Sequence, residues 1–293
     1  MVVLLGVGID SSLAQDEKTT QTQGVPVATQ WVLSGARNDA QKSAIKSVLL
    51  IVCRKDGKKG TGFALAQGGL IVTNSHVVGS CAAQELVAAS SLGRQIVFSG
   101  FIRDTNRDLA LLCPTTPVVD GLQLAADGNP QIETEIETWG YPLSYQNFAP
   151  ILSRGYVAGY WERTYKQDDG RPGHAVKHLI INGAFNPGNS GGPLIDRSTG
   201  KVIGIVVEKW GLYSPMAETV INGLPKSGLQ TNGGFQHRDE HGNVTSVSNE
   251  AAISMVLKEF YDASQVMIGE AISASELSAF LKEKQQSLGC KQS

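Results

Sequence analysis

Apolar residues along this chain fall in short runs bounded by turn formers, with few long helical stripes. Ser47-Val-Leu-Leu-Ile-Val52, Leu70-Ile-Val72, Leu179-Ile-Ile181 and Val202-Ile-Gly-Ile-Val-Val207 are flanked by Gly, Asn or Asp. Runs of that length rich in β-branched residues predict strands. Gly60 to Val78 reads as a strand, a Gly68-Gly69 hairpin and a second strand that ends near His76. Helical spacing predicts an inserted helix over Asn249 to Tyr261, with Ile253, Val256, Leu257 and Phe260 on one face. That face is expected to pack on the β core; the alternative is a lid or partner-binding insert. A terminal helix is expected over Ser275 to Gln286. The fold class is mainly β.

Composition narrows the function classes. The 293 residues include 33 glycines, 41% apolar residues and 6% aromatics, which suits one globular protein of two β units. Net charge is −2 and no basic stripe occurs, so nucleic acid is not an expected partner. Met1 to Ile9 is apolar but too short to span a bilayer, so no membrane span is expected. Ser12-Leu-Ala14 reads as a cleavage site before Gln15, although no Lys or Arg precedes the apolar stretch. Export to a periplasmic or extracellular space is favoured over a cytoplasmic location. Residues 15–41, rich in Gln, Thr and Ser, read as a flexible leader.

The chemistry concentrates in Asn186-Pro-Gly-Asn-Ser-Gly-Gly-Pro-Leu194, which sets Ser190 in a glycine-rich turn ahead of an apolar strand. Glycines there let backbone amides of Gly188 and Ser190, with Asn189, converge on one developing oxyanion. A hydroxyl needs a base and an orienting group. The base candidate is His76, in Thr73-Asn-Ser-His76, and the orienting carboxylate is Asp108, in Arg107-Asp-Leu-Ala-Leu-Leu112. Asp104 is the rival carboxylate but sits in a polar stretch that reads as an exposed turn. His174 and His178 lack the context of His76 and read as surface or supporting residues. This chemistry needs no metal and no organic cofactor, and the sequence contains no His-Glu-x-x-His, P-loop or paired Cys-x-x-Cys pattern.

These contexts, in the order His, Asp, Ser, resemble the trypsin-like serine peptidases, in particular their HtrA (Deg) branch. The pieces that carry the resemblance are Gly60-Thr-Gly-Phe-Ala-Leu65, the run around His76, the Asp108 segment, Trp139 to Pro142, Ser153 to Gly159, and the Ser190 turn followed by Gly200-Lys-Val-Ile-Gly-Ile205. Glu270-Ala-Ile-Ser-Ala-Ser-Glu-Leu277 resembles the family's closing strand and terminal helix. The resemblance implies two six-stranded antiparallel β-barrels: 42–130 carrying His76 and Asp108, and 131–293 carrying Ser190 and an insert at about 209–266. It implies a serine endopeptidase acting on peptide or protein substrates, with a non-catalytic peptide-binding member of the fold as the alternative. No PDZ-like stretch follows the terminal helix in these residues.

Departures from the family's best-known members sharpen the expectations. Asn189 stands where digestive trypsins carry an aspartate that pairs with a freed N-terminal amine, so activity without such cleavage is expected. By resemblance, Ala184, Phe185, Val206, Val207 and Glu208 border the pocket for the residue preceding the scissile bond. No aspartate lies six residues before Ser190, and the small apolar lining implies small aliphatic side chains. The four cysteines, Cys53, Cys81, Cys113 and Cys290, allow three pairings; Cys53 and Cys113 also suit buried thiols. Gly223 to Ser248 reads as a loop.

Overall fold

A computed structural model describes residues 26–284, except 119, 127–128, 144, 146–148, 167–171, 210–220, 222–233, 239–243 and 264–266. The segment read as an export signal, residues 1–14, lies outside the described residues. Strands β1 (Val48–Cys53), β2 (Lys59–Ala64), β3 (Ile71–Thr73), β4 (Leu86–Ser90), β5 (Gln95–Asp104) and β6 (Leu109–Pro114) close one antiparallel barrel in the order β1-β2-β3-β6-β5-β4. Strands β7 (Glu135–Gly140), β8 (Ile151–Lys166), β9 (Pro172–Gly183), β10 (Pro193–Asp196), β11 (Val202–Lys209) and β14 (Ile268–Ser273) close the second, in the order β10-β11-β14-β9-β8-β7. Closure removes the sheet edges that short apolar strands would otherwise expose.

The expected hairpin is present. Gly68 and Gly69 adopt φ of 78° and 61°, which brings Phe63 opposite Val72. Continuous apolar runs become strands buried on both faces: Leu109 to Cys113 in β6 are all buried. Between the barrels the chain is stitched to each in turn. Leu122 N–H donates to Ala64 O at 2.9 Å and Ala125 N–H to Val202 O at 2.8 Å. Gly121 approaches β2's end so closely that a Cβ there would lie 2.5 Å from Ala66 N.

Three expectations change. The stretch read as leader contributes two helices, α1 (Val27–Ser34) and α2 (Asp39–Ser47), among the described residues. Thr29 Oγ1 donates to Ser91 O on the first barrel, and Gln41 Nε2 donates to buried Glu137 on β7 of the second. Ala44 and Ile45 enter the core alongside Trp139 and Leu111. Asn38 caps α2 through its side chain, accepting from Gln41 N–H at 3.0 Å. Polar composition concealed this because the burying residues recur at helical, not strand, spacing.

In the segment read as a loop, β12 (Gly234–Arg238) and β13 (Val244–Ser248) form a two-stranded antiparallel sheet. Helix α4 (Asn249–Ala263) forms as expected, yet its apolar face is exposed, with Ile253 at 51%, Val256 at 50% and Phe260 at 72%. Among its described side chains the one that α4 buries is instead Ser254, whose hydroxyl donates to Ile221 O at 2.7 Å. Short helix α3 (Ser75–Val78) and terminal helix α5 (Ala274–Lys284) complete the described helices, with Leu277 and Phe280 of α5 fully buried.

Cys53 and Cys81 form a disulfide across a sequence separation of 28, so Cys53 is not the buried thiol that its strand context suggested. No cysteine among the described residues is free. The bridge ties the segment after α3 to the end of β1. Replacing both by alanine is expected to lower stability by about 3 to 4 kcal/mol in the loop-entropy account, measured by urea unfolding against the wild type. A loss below about 1 kcal/mol would show that the reduced chain already holds this loop.

Candidate active site

His76 sits on α3, a single turn that begins where β3 leaves the first barrel. Val77 and Val78 bury into that barrel and fix the turn, while the His76 side chain stays half exposed. The turn ends at Gly79, whose φ of 58° reverses the chain. Asp108 lies in the β5–β6 connection with φ of 53°, in the left-handed region that Asp tolerates better than most residues. From there both carboxylate oxygens reach one residue. Oδ1 accepts His76 N–H at 2.9 Å, and Oδ2 lies 2.7 Å from His76 Nδ1. The Asp108 carbonyl in turn accepts Ser75 N–H at 3.1 Å and Asn74 Nδ2–H at 2.9 Å. The two residues are thus locked by main chain and side chain together.

Ser190 comes from the second barrel, in the β9–β10 connection, and docks on the first. Its carbonyl accepts Thr61 N–H at 2.8 Å. At the next residue a Cβ on Gly191 would lie 2.1 Å from Thr61 O, 2.2 Å from Thr73 Oγ1 and 3.1 Å from Asn74 N, two positions from His76. Glycine is required there for close approach as well as for its φ of 85°. No hydrogen bond joins Ser190 to His76 among the described residues.

The turn's carbonyls decide where its amides point, because C=O and N–H of a trans peptide face opposite ways. Pro187 O accepts Leu143 N–H at 2.8 Å, Gly188 O accepts the Thr61 hydroxyl at 2.7 Å, Asn189 O accepts Gly192 N–H at 2.9 Å, and Ser190 O accepts Thr61 N–H. Asn189 N–H donates to Asn186 O at 3.0 Å and Gly191 N–H to Val206 O at 2.8 Å. Gly188 N–H and Ser190 N–H are left with no acceptor among the described residues. Two such amides, one residue apart, suit a single anionic oxygen. Asn189 is removed from that set, since its amide is already committed. Thr61, which pins both flanking carbonyls, was not singled out in the sequence; its place in Gly60-Thr-Gly-Phe was the only signal.

The residues expected to border the specificity pocket separate. Phe185 is buried against Gly269, where a Cβ would lie 2.3 Å from the ring. Val206 shares its cluster, with Leu179 and Ala271. Val207 points the other way, into the cluster of Ile205, Ile272, Leu277 and Phe280, because adjacent strand residues face opposite sides. The side chains of Val206 and Val207 therefore do not line one pocket. Ala184 is half-buried. The Glu208 side chain lies outside the described residues.

The other candidates are accounted for. Asp104 Oδ1 caps its own turn, accepting Asn106 N–H at 2.9 Å and Arg107 N–H at 3.1 Å. His178 is fully buried, not on the surface, with Nδ1 2.7 Å from Glu270 Oε1 on the second barrel. His174 is exposed.

Residues 60–205 match the family described as the trypsin-like peptidase domain. The chain is 31% identical over 156 residues to a protein named putative serine protease HhoA of Synechocystis, covering 52% of this chain and 37% of that protein. It is 30% identical over 146 residues to a probable periplasmic serine endoprotease, DegP-like, of Halomonas elongata, covering 50% and 28% respectively. The chain thus spans well under half the length of these relatives. Among solved structures, the inactive form of the Rv3671c protease superposes with a TM-score of 0.55 at 17% identity, over 84% of this chain and 92% of that one. The active form from M. tuberculosis gives 0.51 at 22% identity, over 67% and 85%. At those identities the likeness is one of fold.

Proposed function

Since this chain belongs to the trypsin-like serine peptidases, with HtrA-like proteases among its relatives, we propose that it is a serine endopeptidase whose triad is Ser190, His76 and Asp108. Ser190 Oγ attacks the carbonyl carbon of a peptide bond, and His76 Nε2 takes its proton. Asp108 keeps the other imidazole proton on Nδ1 and stabilises the cation that forms. The tetrahedral oxyanion is received by Gly188 N–H and Ser190 N–H. His76 then protonates the leaving amine, and water resolves the acyl-enzyme by the same route. The hydrogen bond between Ser190 and His76 forms as substrate closes the cleft, as catalytic contacts often tighten only in the complex.

The observation that carries this reading is that the carbonyls of Pro187 to Ser190 are all pinned while the amides of Gly188 and Ser190 have no acceptor among the described residues. A turn kept for structure alone has no reason to aim these two amides, either side of Asn189, away from its own acceptors. The same bonds support activity without N-terminal cleavage. Thr61 and Leu143 hold the turn through neutral groups, and the buried Asn189 needs no ion pair. The preference for small aliphatic residues before the scissile bond rests on the sequence, in which Ala184 and Phe185 bring no charge to the stretch ahead of the Ser190 turn. Export is the compartment that fits the Cys53–Cys81 bridge.

The test is labelling of the purified protein with a fluorophosphonate, which reports an activated serine without needing the natural substrate. Wild type is expected to label and Ser190→Ala and His76→Ala not to. Well-folded wild type that does not label would refute the reading and favour a peptide-binding module.

A further inference from the structure

Arg107 precedes Asp108 and is buried, with its side chain 9% exposed, although no step above uses it. Its guanidinium is surrounded by carboxylates from two distant parts of the chain. Nη1 lies 2.6 Å from Asp104 Oδ2 and 3.0 Å from Glu283 Oε2, Nη2 lies 2.7 Å from Glu283 Oε1, and Nε lies 3.2 Å from Glu276 Oε2. Glu276 and Glu283 both belong to α5, and Glu276 Oε1 accepts Lys177 N–H of β9 at 3.1 Å. The fork of Arg107 grips Glu283 in bidentate fashion, a geometry that lysine cannot reproduce. Burial disfavours the Arg107 charge, but the three carboxylates outweigh it and keep the guanidinium protonated; Arg107 in turn holds the Glu283 carboxyl below its usual range.

We infer, on the basis of the triad reading, that Arg107 is a positioning residue: anchored to the terminal helix of the second barrel, it holds Asp108 in the left-handed conformation that aims its carboxylate at His76. Three features join in this inference. A non-glycine residue at φ of 53° is unfavourable and persists only where neighbours over-determine it. On its C-terminal side Asp108 is held by the Ser75 and Asn74 bonds to its carbonyl. On its N-terminal side the restraint is the Arg107 cluster, since Asp104 binds both the amide and the guanidinium of Arg107. Helix α5 thereby reaches the active site of the opposite barrel, and its docking sets the alignment of the catalytic imidazole.

The experiment compares wild type with Arg107→Gln, Arg107→Lys and Glu283→Gln in the full chain. It reads the fluorophosphonate inactivation rate, split into maximal rate and half-saturating concentration. It also reads the downfield proton resonance of His76 Nδ1–H, identified by its loss in His76→Ala, and the midpoint of His76 titration. Arg107→Gln is expected to lower the maximal rate about 10- to 100-fold with little change in half-saturation. The downfield resonance should weaken and the His76 midpoint fall; Arg107→Lys restores part of each, and Glu283→Gln shows the same changes more mildly. The direction of the midpoint separates two explanations. Loss of a nearby positive charge alone would raise it, whereas loss of Asp108 alignment lowers it. A raised midpoint, or an unchanged rate and resonance despite lower thermal stability, would overturn the inference. Should Arg107→Gln fail to fold, Glu283→Gln decides by the rate and the resonance, because removing a carboxylate lowers the His76 midpoint whether or not Asp108 moves. Wild type that shows the resonance yet does not label would sink the triad reading alone, leaving the clamp to be judged by the resonance.

Discussion

Asp108→Asn is expected to lower turnover of a peptide substrate by about 10⁴-fold while leaving the fold intact. The argument rests on the two contacts of this carboxylate. His76 N–H needs an acceptor, and Oδ1 supplies it at 2.9 Å; Oδ2 faces Nδ1 at 2.7 Å. An asparagine has one acceptor and one donor group in their place. Turned to satisfy the backbone N–H, it presents its NH₂ to Nδ1, which must then lie unprotonated, so the proton moves to Nε2. In that tautomer Nε2 cannot take the proton of Ser190. Turned the other way, it sets NH₂ against the backbone N–H, two donors face to face, and the bond that holds His76 to residue 108 through the main chain is lost. Steady-state kinetics on a fluorogenic peptide, beside a thermal melt, checks this. Activity within tenfold of wild type would mean that another group orients His76, and Asp104, already committed to its own turn, is not placed to do so.

That constellation was legible in the sequence because each member sits at an element's edge with its own local marking. The glycines around Ser190, the apolar strand after Asp108 and the hairpin ahead of His76 each have a backbone reason to stand where they do. What the sequence did not display are bonds between segments far apart along the chain. Thr61 meets Gly188 across 127 residues and Arg107 meets Glu283 across 176. Neither partner in these pairs carries any local sign of the other. The Asn189 amide was counted as an oxyanion donor for the same reason, since only the closed turn reveals that Asn186 already takes it. Composition misled at the two polar stretches. In 27–47 a few well-spaced residues suffice to bury two helices, and in 234–248 glycine and asparagine mark the ends of strands as readily as a loop. The apolar stripe of α4 was read correctly as a stripe, but periodicity says which residues share a face and not what that face meets.

Gly191→Ala is expected to reduce the fluorophosphonate inactivation rate by about 10³-fold and to lower stability as well. The added methyl would meet Thr61 O at 2.1 Å and Thr73 Oγ1 at 2.2 Å, well inside contact distance. The nearer atom belongs to the backbone, and Thr61 has little freedom to withdraw. Its N–H bonds Ser190 O, its hydroxyl bonds Gly188 O and accepts Tyr141 N–H, and its carbonyl accepts the Thr73 hydroxyl. The strain must therefore be relieved by moving the Ser190 turn off the first barrel, which shifts the nucleophile relative to His76 and releases the carbonyls that aim the two free amides. Misplacement of about 1 Å costs on the order of 10²-fold, and losing one oxyanion donor costs about 10²- to 10³-fold; both follow from one displacement, so they overlap rather than multiply. The control is Gly57→Ala, also at positive φ, 69°, but with nothing within 4 Å of the new methyl. It carries the backbone strain without the collision, about 1 kcal/mol, and should label at the wild-type rate. Equal losses in the two variants would assign the effect to backbone strain and remove the seam between the barrels as its cause. A loss confined to Gly191→Ala would locate the fit of the nucleophile turn in the contact of Gly191 with Thr61.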